Sequence, residues 1–258
     1  MEIICCPSCK ETISVSGHSR ETGYKPDGMH CSVCNKQFST AEGYIDFLGK
    51  GGLTHSSNRE KVIRSIYAKI YTPATNFMFL FCGGVSNARM EVLSRLEIRE
   101  NDVILETGMG AGENLLWISK MAKNLTFYGI DIQKQMMEHC MRNLKKWNLK
   151  AEIYRADAEE LPFREETFDV VFHLGAINLF AGKKKAIDEM IRVAKPGTKI
   201  IIADETEKAG RLFNYFTGSK DKIVPPLDLI PSGMVDIQFE IIWKGYGYVI
   251  SFIKPQAN

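Results

Sequence analysis

The segment Glu106-Thr107-Gly108-Met109-Gly110-Ala111-Gly112 follows the apolar run Val103-Ile104-Leu105 directly. An apolar run that breaks into alternating glycines marks a buried strand turning tightly into a helix, with backbone bare enough for a nucleotide-like ligand to lie against it. The same rhythm continues downstream. Strand-like Val103–Glu106 precedes a helical pattern over 113–123, Thr126–Asp131 precedes 133–147, and Ala151–Arg155 follows. Phe168–Leu174 then precedes 183–194, and Lys199–Asp204 comes after it.

Such alternation predicts an α/β chain with a parallel sheet and helices on both faces. Val235–Lys244 and Tyr246–Lys254, joined at Gly245, read instead as a closing antiparallel hairpin. The expected architecture is therefore a Rossmann-like, doubly wound, seven-stranded sheet with a C-terminal antiparallel hairpin. Met136, Met137, Cys140, Met141, Leu144 and Trp147 recur at helical spacing and read as core.

Five of the seven cysteines fall before residue 35. Cys6-Pro7-Ser8-Cys9 and Cys31-Ser32-Val33-Cys34 are two Cys-x-x-Cys knuckles, and two knuckles can close a tetrahedral sulfur site suited to structural zinc. An isolated redox dithiol explains one knuckle but not a matched pair, and an iron–sulfur centre fits the spacing less well. Cys5 stands beside Cys6 as an alternative ligand. Residues 1–50 are thus expected to form a zinc ribbon too small to fold without its metal. Gly51-Gly52 and the polar residues behind it mark a linker, so a second domain is expected over 58–258.

The ribbon carries five basic and six acidic residues, an unusual balance for gripping RNA. A formal charge of +2 for the whole chain neither demands nor excludes a nucleic-acid partner. No apolar stretch reaches the about 20 residues that span a bilayer. The longest, Asn76–Cys82, predicts a buried or cofactor-covering helix, with a membrane-surface contact as the weaker alternative. The first residues lack the basic and apolar regions of a signal peptide, which makes the cytoplasm the expected compartment.

Dinucleotide enzymes also place a glycine turn after a strand, but their third glycine falls three positions after the second. Here those positions hold Glu113 or Leu115, so the pattern fails in both registers. Glu106 also puts a carboxylate at the strand end, which suits a cationic sulfonium bearing an ammonium group better than a diphosphate. Asp131 ends the next strand, where its oxygens can accept from ribose hydroxyls. Asp157-Ala158 follows the third strand, where a carboxylate and a backbone N–H can meet adenine. Each carboxylate alone could be a helix or turn cap; three at successive strand ends point to S-adenosylmethionine.

These segments, together with F-D-V-V-F (168–172) and R-V-A-K-P-G-T-K-I-I-I-A-D (192–204), resemble the class I S-adenosylmethionine-dependent methyltransferases. The resemblance is to the type 11 branch that includes quinone-biosynthesis methyltransferases, and it covers roughly residues 60–255. It implies that Glu106, Gly108, Gly110 and Gly112 surround the methionine part of the cofactor, Asp131 and Ile132 the ribose, and Asp157 and Ala158 the adenine. It also implies that His173 faces the cofactor near its sulfur, and that S-adenosylhomocysteine is the product. Relatives often carry Tyr-Asp upstream of the sheet; here the place reads Tyr67-Ala68. The stretch Gln37–Leu48 resembles the ribbon of bacterial 23S rRNA guanine-N1 methyltransferases, and the small zinc-binding activator of tRNA and translation-factor methyltransferases.

Methyl transfer from a sulfonium is an in-line displacement that draws on alignment and desolvation, and needs a base only when the acceptor must lose a proton. Candidate bases are Tyr67, Tyr71, His173 and Asn178. Aromatic residues over Tyr67–Phe81, with Leu212, Phe213, Tyr215 and Phe216, predict an apolar acceptor pocket. The expected partner is a small, hydrophobic or soft acceptor, at carbon, oxygen or sulfur. An rRNA guanine methyltransferase is the alternative, and a cofactor-binding regulator without catalysis a weaker one.

Overall fold

The computed structural model describes residues 3–16, 28–40, 43–49, 79–80, 83–210 and 223–256. The expected linker after Gly51, the candidate bases Tyr67 and Tyr71, and the pocket residues Leu212, Phe213, Tyr215 and Phe216 lie outside the described residues.

Five parallel strands form the centre: β5 (Val103–Thr107), β6 (Thr126–Asp131), β7 (Glu152–Arg155), β8 (Val170–Leu174) and β9 (Lys199–Glu205). Their sequences are nearly continuous apolar runs because helices cover both faces. Successive side chains along each strand point to opposite faces, so each strand feeds two cores. Leu105, Ile130, Val171 and Ile202 pack into one, and Ile104, Phe127, Phe172 and Ile201 into the other. Between the strands run α1 (Val85–Leu93), α2 (Glu113–Ile118), α3 (Lys134–Trp147) and α4 (Lys183–Val193), where α1 precedes β5. The helix α2 is shorter than the pattern over 113–123, because Ser119 turns its hydroxyl back to the Leu116 carbonyl and the chain leaves the helix there.

The predicted C-terminal hairpin is present as β10 (Val235–Ile242) and β11 (Gly247–Ile253). The strand β11 runs antiparallel to β9, and Trp243 in the connection donates its indole N–H to the Ala88 carbonyl at 2.9 Å. Of the Met/Cys/Leu stripe on α3, Met136, Met137, Cys140 and Leu144 are buried as predicted.

The N-terminal module has its own three-stranded antiparallel sheet, β1 (Ile13–Ser16), β2 (Gly28–Cys31) and β3 (Gln37–Phe38). Its last strand, β4 (Ile45–Asp46), leaves that sheet and pairs in parallel with β7. The seven expected strands thus become eight, in the order β10-β11-β9-β8-β5-β6-β7-β4. The physical reason is the open edge of β7, whose unpaired backbone groups β4 satisfies. Ile4 forms a bridge with Phe163, and Ile4, Met29, Phe38 and Phe47 share one core with Tyr154 and Phe163.

Phe163 joins the two parts, with ring contacts at 5.0–6.0 Å to Tyr128, Tyr154 and Phe168. Phe163→Ala should cost about 3–5 kcal/mol in urea unfolding, the usual range for emptying an aromatic core site. A loss below about 1 kcal/mol would contradict this packing.

Candidate functional site

The cleft forms where the turn leaving β5 meets the end of β6. The backbone of Gly110 is left-handed, and a Cβ added there would meet nothing within 4 Å. Gly112 is left-handed too, but a Cβ there would lie 2.7 Å from Cys140 Sγ. One glycine thus opens the backbone to the cleft and the other lets the turn sit down on α3. Asp131 ties the turn to the neighbouring strand: Gly110 N–H donates to its Oδ2 at 2.9 Å and Gln133 N–H to its Oδ1 at 2.8 Å. Burial raises the Asp131 pKa to about 6 despite these two donors.

Glu106 is fully buried at the end of β5. Asn114 Nδ2 donates to its Oε1 at 2.5 Å, while Oε2 has no partner among the described residues. Burial raises this carboxyl to about 8. Asn114 is itself held by Arg89, which also pairs with Glu113. Arg89 is buried, yet its Nε is unpartnered among the described residues. The cleft is lined by Arg89, Gly110, Asp131, Met136, Leu174 and Ala176, among others.

Arg89 and Asn114 are site residues that sequence reading did not assign. Arg89 had a signal, being the lone cation among Val85, Ala88 and Val92 on the apolar face of α1. Met136 departs from the expectation of pure core, since it also lines the cleft. Phe79, from the long apolar stretch, is buried edge-on against Trp243 at 5.0 Å, with the Arg89 guanidinium 5.9 Å from its ring.

The other sequence candidates are spread more widely. His173 does not line the cleft: it points to the opposite face of β8 and lies beneath the turn, where a Cβ on Gly108 would meet its Cε1 at 3.0 Å. Its Nδ1 stands 2.7 Å from the Thr107 carbonyl, and burial depresses its pKa to about 4. A neutral histidine packed there supports the turn. Asn178 uses its amide N–H to reach the Glu205 carbonyl at 3.3 Å, and its backbone N–H donates to Asp204 at 2.9 Å. Both contacts fasten the loop carrying Gly175 and Ala176. Asp157 accepts from Glu159 N–H at 2.9 Å, and Ala158 beside it is buried. Ile132 offers its carbonyl to Arg155 at 3.2 Å.

At the front of the chain, Cys6, Cys9, Cys31 and Cys34 place their sulfurs within 4.8 Å of one another. Cys6 and Cys34 lie 3.5 Å apart, and Cys9 and Cys31 3.4 Å. Cys5 is outside this group and uses its backbone N–H on the Pro162 carbonyl instead.

Residues 104–197 match the model of a family described as a methyltransferase domain. YrhH of Bacillus subtilis (strain 168), which carries a provisional methyltransferase name, is 27% identical over 139 residues, or 54% of this chain and 77% of that one. The sterol 4-C-methyltransferase strm-1 of Caenorhabditis elegans is 32% identical over 117 residues, 44% of this chain but 34% of its own length. The chain thus spans about a third of that relative. An S-adenosylmethionine-dependent methyltransferase from Aquifex aeolicus shares the fold, with a TM-score of 0.50 and 23% identity, covering 64% of this chain and 88% of that one. Residues 104–197 are thus similar to a methyltransferase domain, and the fold is one shared with an S-adenosylmethionine-dependent methyltransferase of solved structure.

The raised carboxyl at Glu106 has a consequence for stability. A group whose pKa is 4.5 unfolded and about 8 folded makes the folded chain hold the extra proton, so its contribution declines as pH rises from about 4.5 to about 8. Glu106→Gln should therefore gain thermal stability over the ligand-free parent as pH rises through that window. A difference between the two proteins that does not vary from pH 5 to 8 would refute the burial of an unpaired carboxyl.

Proposed function

We propose that this cleft binds S-adenosylmethionine and directs its methyl group to a small, hydrophobic or soft acceptor. The observation that carries the reading is the buried, unpartnered Oε2 of Glu106 beside a turn of bare backbone. An ammonium is the group that such an acceptor lacks, and the nearby Arg89 suits a carboxylate. The amino acid end of the cofactor carries both. Asp131 then takes the ribose hydroxyls, and Asp157 with Ala158 the adenine, each at the end of its strand.

The bound cofactor supplies an electrophilic methyl on a sulfonium. The residues of this chain do the rest by orientation and exclusion of water. Glu106 and Arg89 hold the amino acid end of the ligand, Asp131 holds the ribose, and Met136 and Leu174 give the cleft wall an apolar character. The apolar acceptor is supported by that wall, by Phe79 against Trp243, and by the sterol named for one relative. Residues 1–50 form the metal module and 58–258 the transferase. Four thiolates in mutual reach make a closed soft site that fits structural zinc.

Asp131→Ala should weaken S-adenosylhomocysteine binding about 10- to 100-fold, the scale of charge-assisted hydrogen bonds, as measured by isothermal titration calorimetry. Equal affinity in parent and variant would sink the ribose assignment. With methyl-labelled cofactor, label should pass to sterol, phenol or thiol acceptors rather than to RNA; selective labelling of RNA would establish the alternative instead. Elemental analysis should find about one zinc per chain, as expected for a four-sulfur site, and none in Cys6→Ser/Cys34→Ser.

A further inference from the structure

A series of polar contacts runs from the four-cysteine module to Ile132, the residue next to Asp131 of the cleft. Asp46, at the end of β4, stands opposite Arg155 in the parallel register with β7. Its Oδ2 lies 2.7 Å from Arg155 Nη1, and its Oδ1 accepts from the backbone N–H groups of Leu48 and Gly49 at 2.9 and 3.2 Å. The guanidinium continues inward, with Nε donating to the Ile132 carbonyl at 3.2 Å. Ile132 lies within the turn whose Asp131 accepts from Gly110 and Gln133. The side chains of Arg155 and Asp46 are 18% and 19% exposed, so solvent screens the pair only partly.

From the other direction, the same aspartate belongs to the metal fold. Asp46 exchanges backbone hydrogen bonds with Ser39 at 2.7 and 3.3 Å, one residue beyond β3 and five beyond Cys34. Phe47 bridges the rings of Phe38 and Tyr154, at 5.0 and 5.9 Å. The residues flanking the first knuckle hold the far end of the segment after β7: Cys5 N–H donates to the Pro162 carbonyl at 3.0 Å, and Lys10 Nζ to the Leu161 carbonyl at 3.1 Å. The segment carrying Asp157 and Ala158 is therefore gripped at both ends by the module.

We propose that Asp46 and Arg155 are positioning residues for the ribose and adenine half of the cofactor, and that the four-cysteine metal centre sets cofactor affinity through them. This rests on the cofactor reading given above. Simple docking of the module is already provided by the β4–β7 pairing and the shared aromatic core. The Arg155 fork adds something that docking does not need, a fixed position for the carbonyl next to Asp131. A lysine at this place could pair with Asp46 but could not span both acceptors.

The test is calorimetric binding of S-adenosylhomocysteine, and separately of adenosine, to the full-length, zinc-loaded chain. Arg155→Lys should weaken both ligands about tenfold, within the usual span of site-to-site coupling, while the ligand-free melting temperature stays near that of the parent. Asp46→Asn removes the same pair from the module side and should give the same loss, so either variant suffices if the other fails to fold. Stripping zinc with a chelator should weaken binding to the parent by a similar factor, yet add little to Arg155→Lys. Unchanged affinity in a well-folded variant overturns the proposal, as does a zinc effect that adds in full to that of Arg155→Lys. A parent that binds neither ligand fails the cofactor reading itself, and the proposal with it.

Discussion

Everything in the α/β part depends on the reversal of strand order beside β5. The strands β6 and β7 lie to one side of it, and β8 and β9 to the other. Connections leaving β5 and β8 therefore diverge to opposite faces, and a crevice must open at their carboxyl ends. That crevice brings Glu106 and Asp131 to adjacent strand ends, with the glycine turn between them. Burying Glu106 without a full set of partners is costly. The stabilising burial sits elsewhere, in the two cores that sandwich the sheet.

Much of this arrangement was legible in the sequence. Strands over 103–107, 126–131, 170–174 and 199–205 are apolar runs with sharp turn signals, so both their existence and their parallel pairing could be read. The turn at 106–112 and the acidic ends of the first two strands followed from local chemistry. The four cysteines could be paired by spacing alone, and the structure places Cys6 in the cluster and Cys5 outside it.

What could not be read depends on tertiary contacts. Short strands could be read over 37–48, but not the pairing of β4 with β7, whose residues are more than 100 positions away in sequence. Arg89 reaches Glu113 and Asn114 only because α1 packs against α2. His173 had the right strand end but the wrong parity: one residue along a strand exchanges faces, so its imidazole supports the turn from below while Leu174 lines the cleft. Met136 shows the reverse, a residue that helical spacing marks as core and that the helix start brings to the cleft wall.

The most direct test of the central claim is the proton balance of cofactor-product binding. Calorimetric titration of S-adenosylhomocysteine at pH 7 in buffers of different ionisation enthalpy counts the protons exchanged. A Glu106 carboxyl held near 8 is mostly protonated in the empty cleft and must ionise to receive an ammonium. The account predicts release of about one proton in the parent and its disappearance in Glu106→Gln. Binding with no proton released by the parent would contradict it.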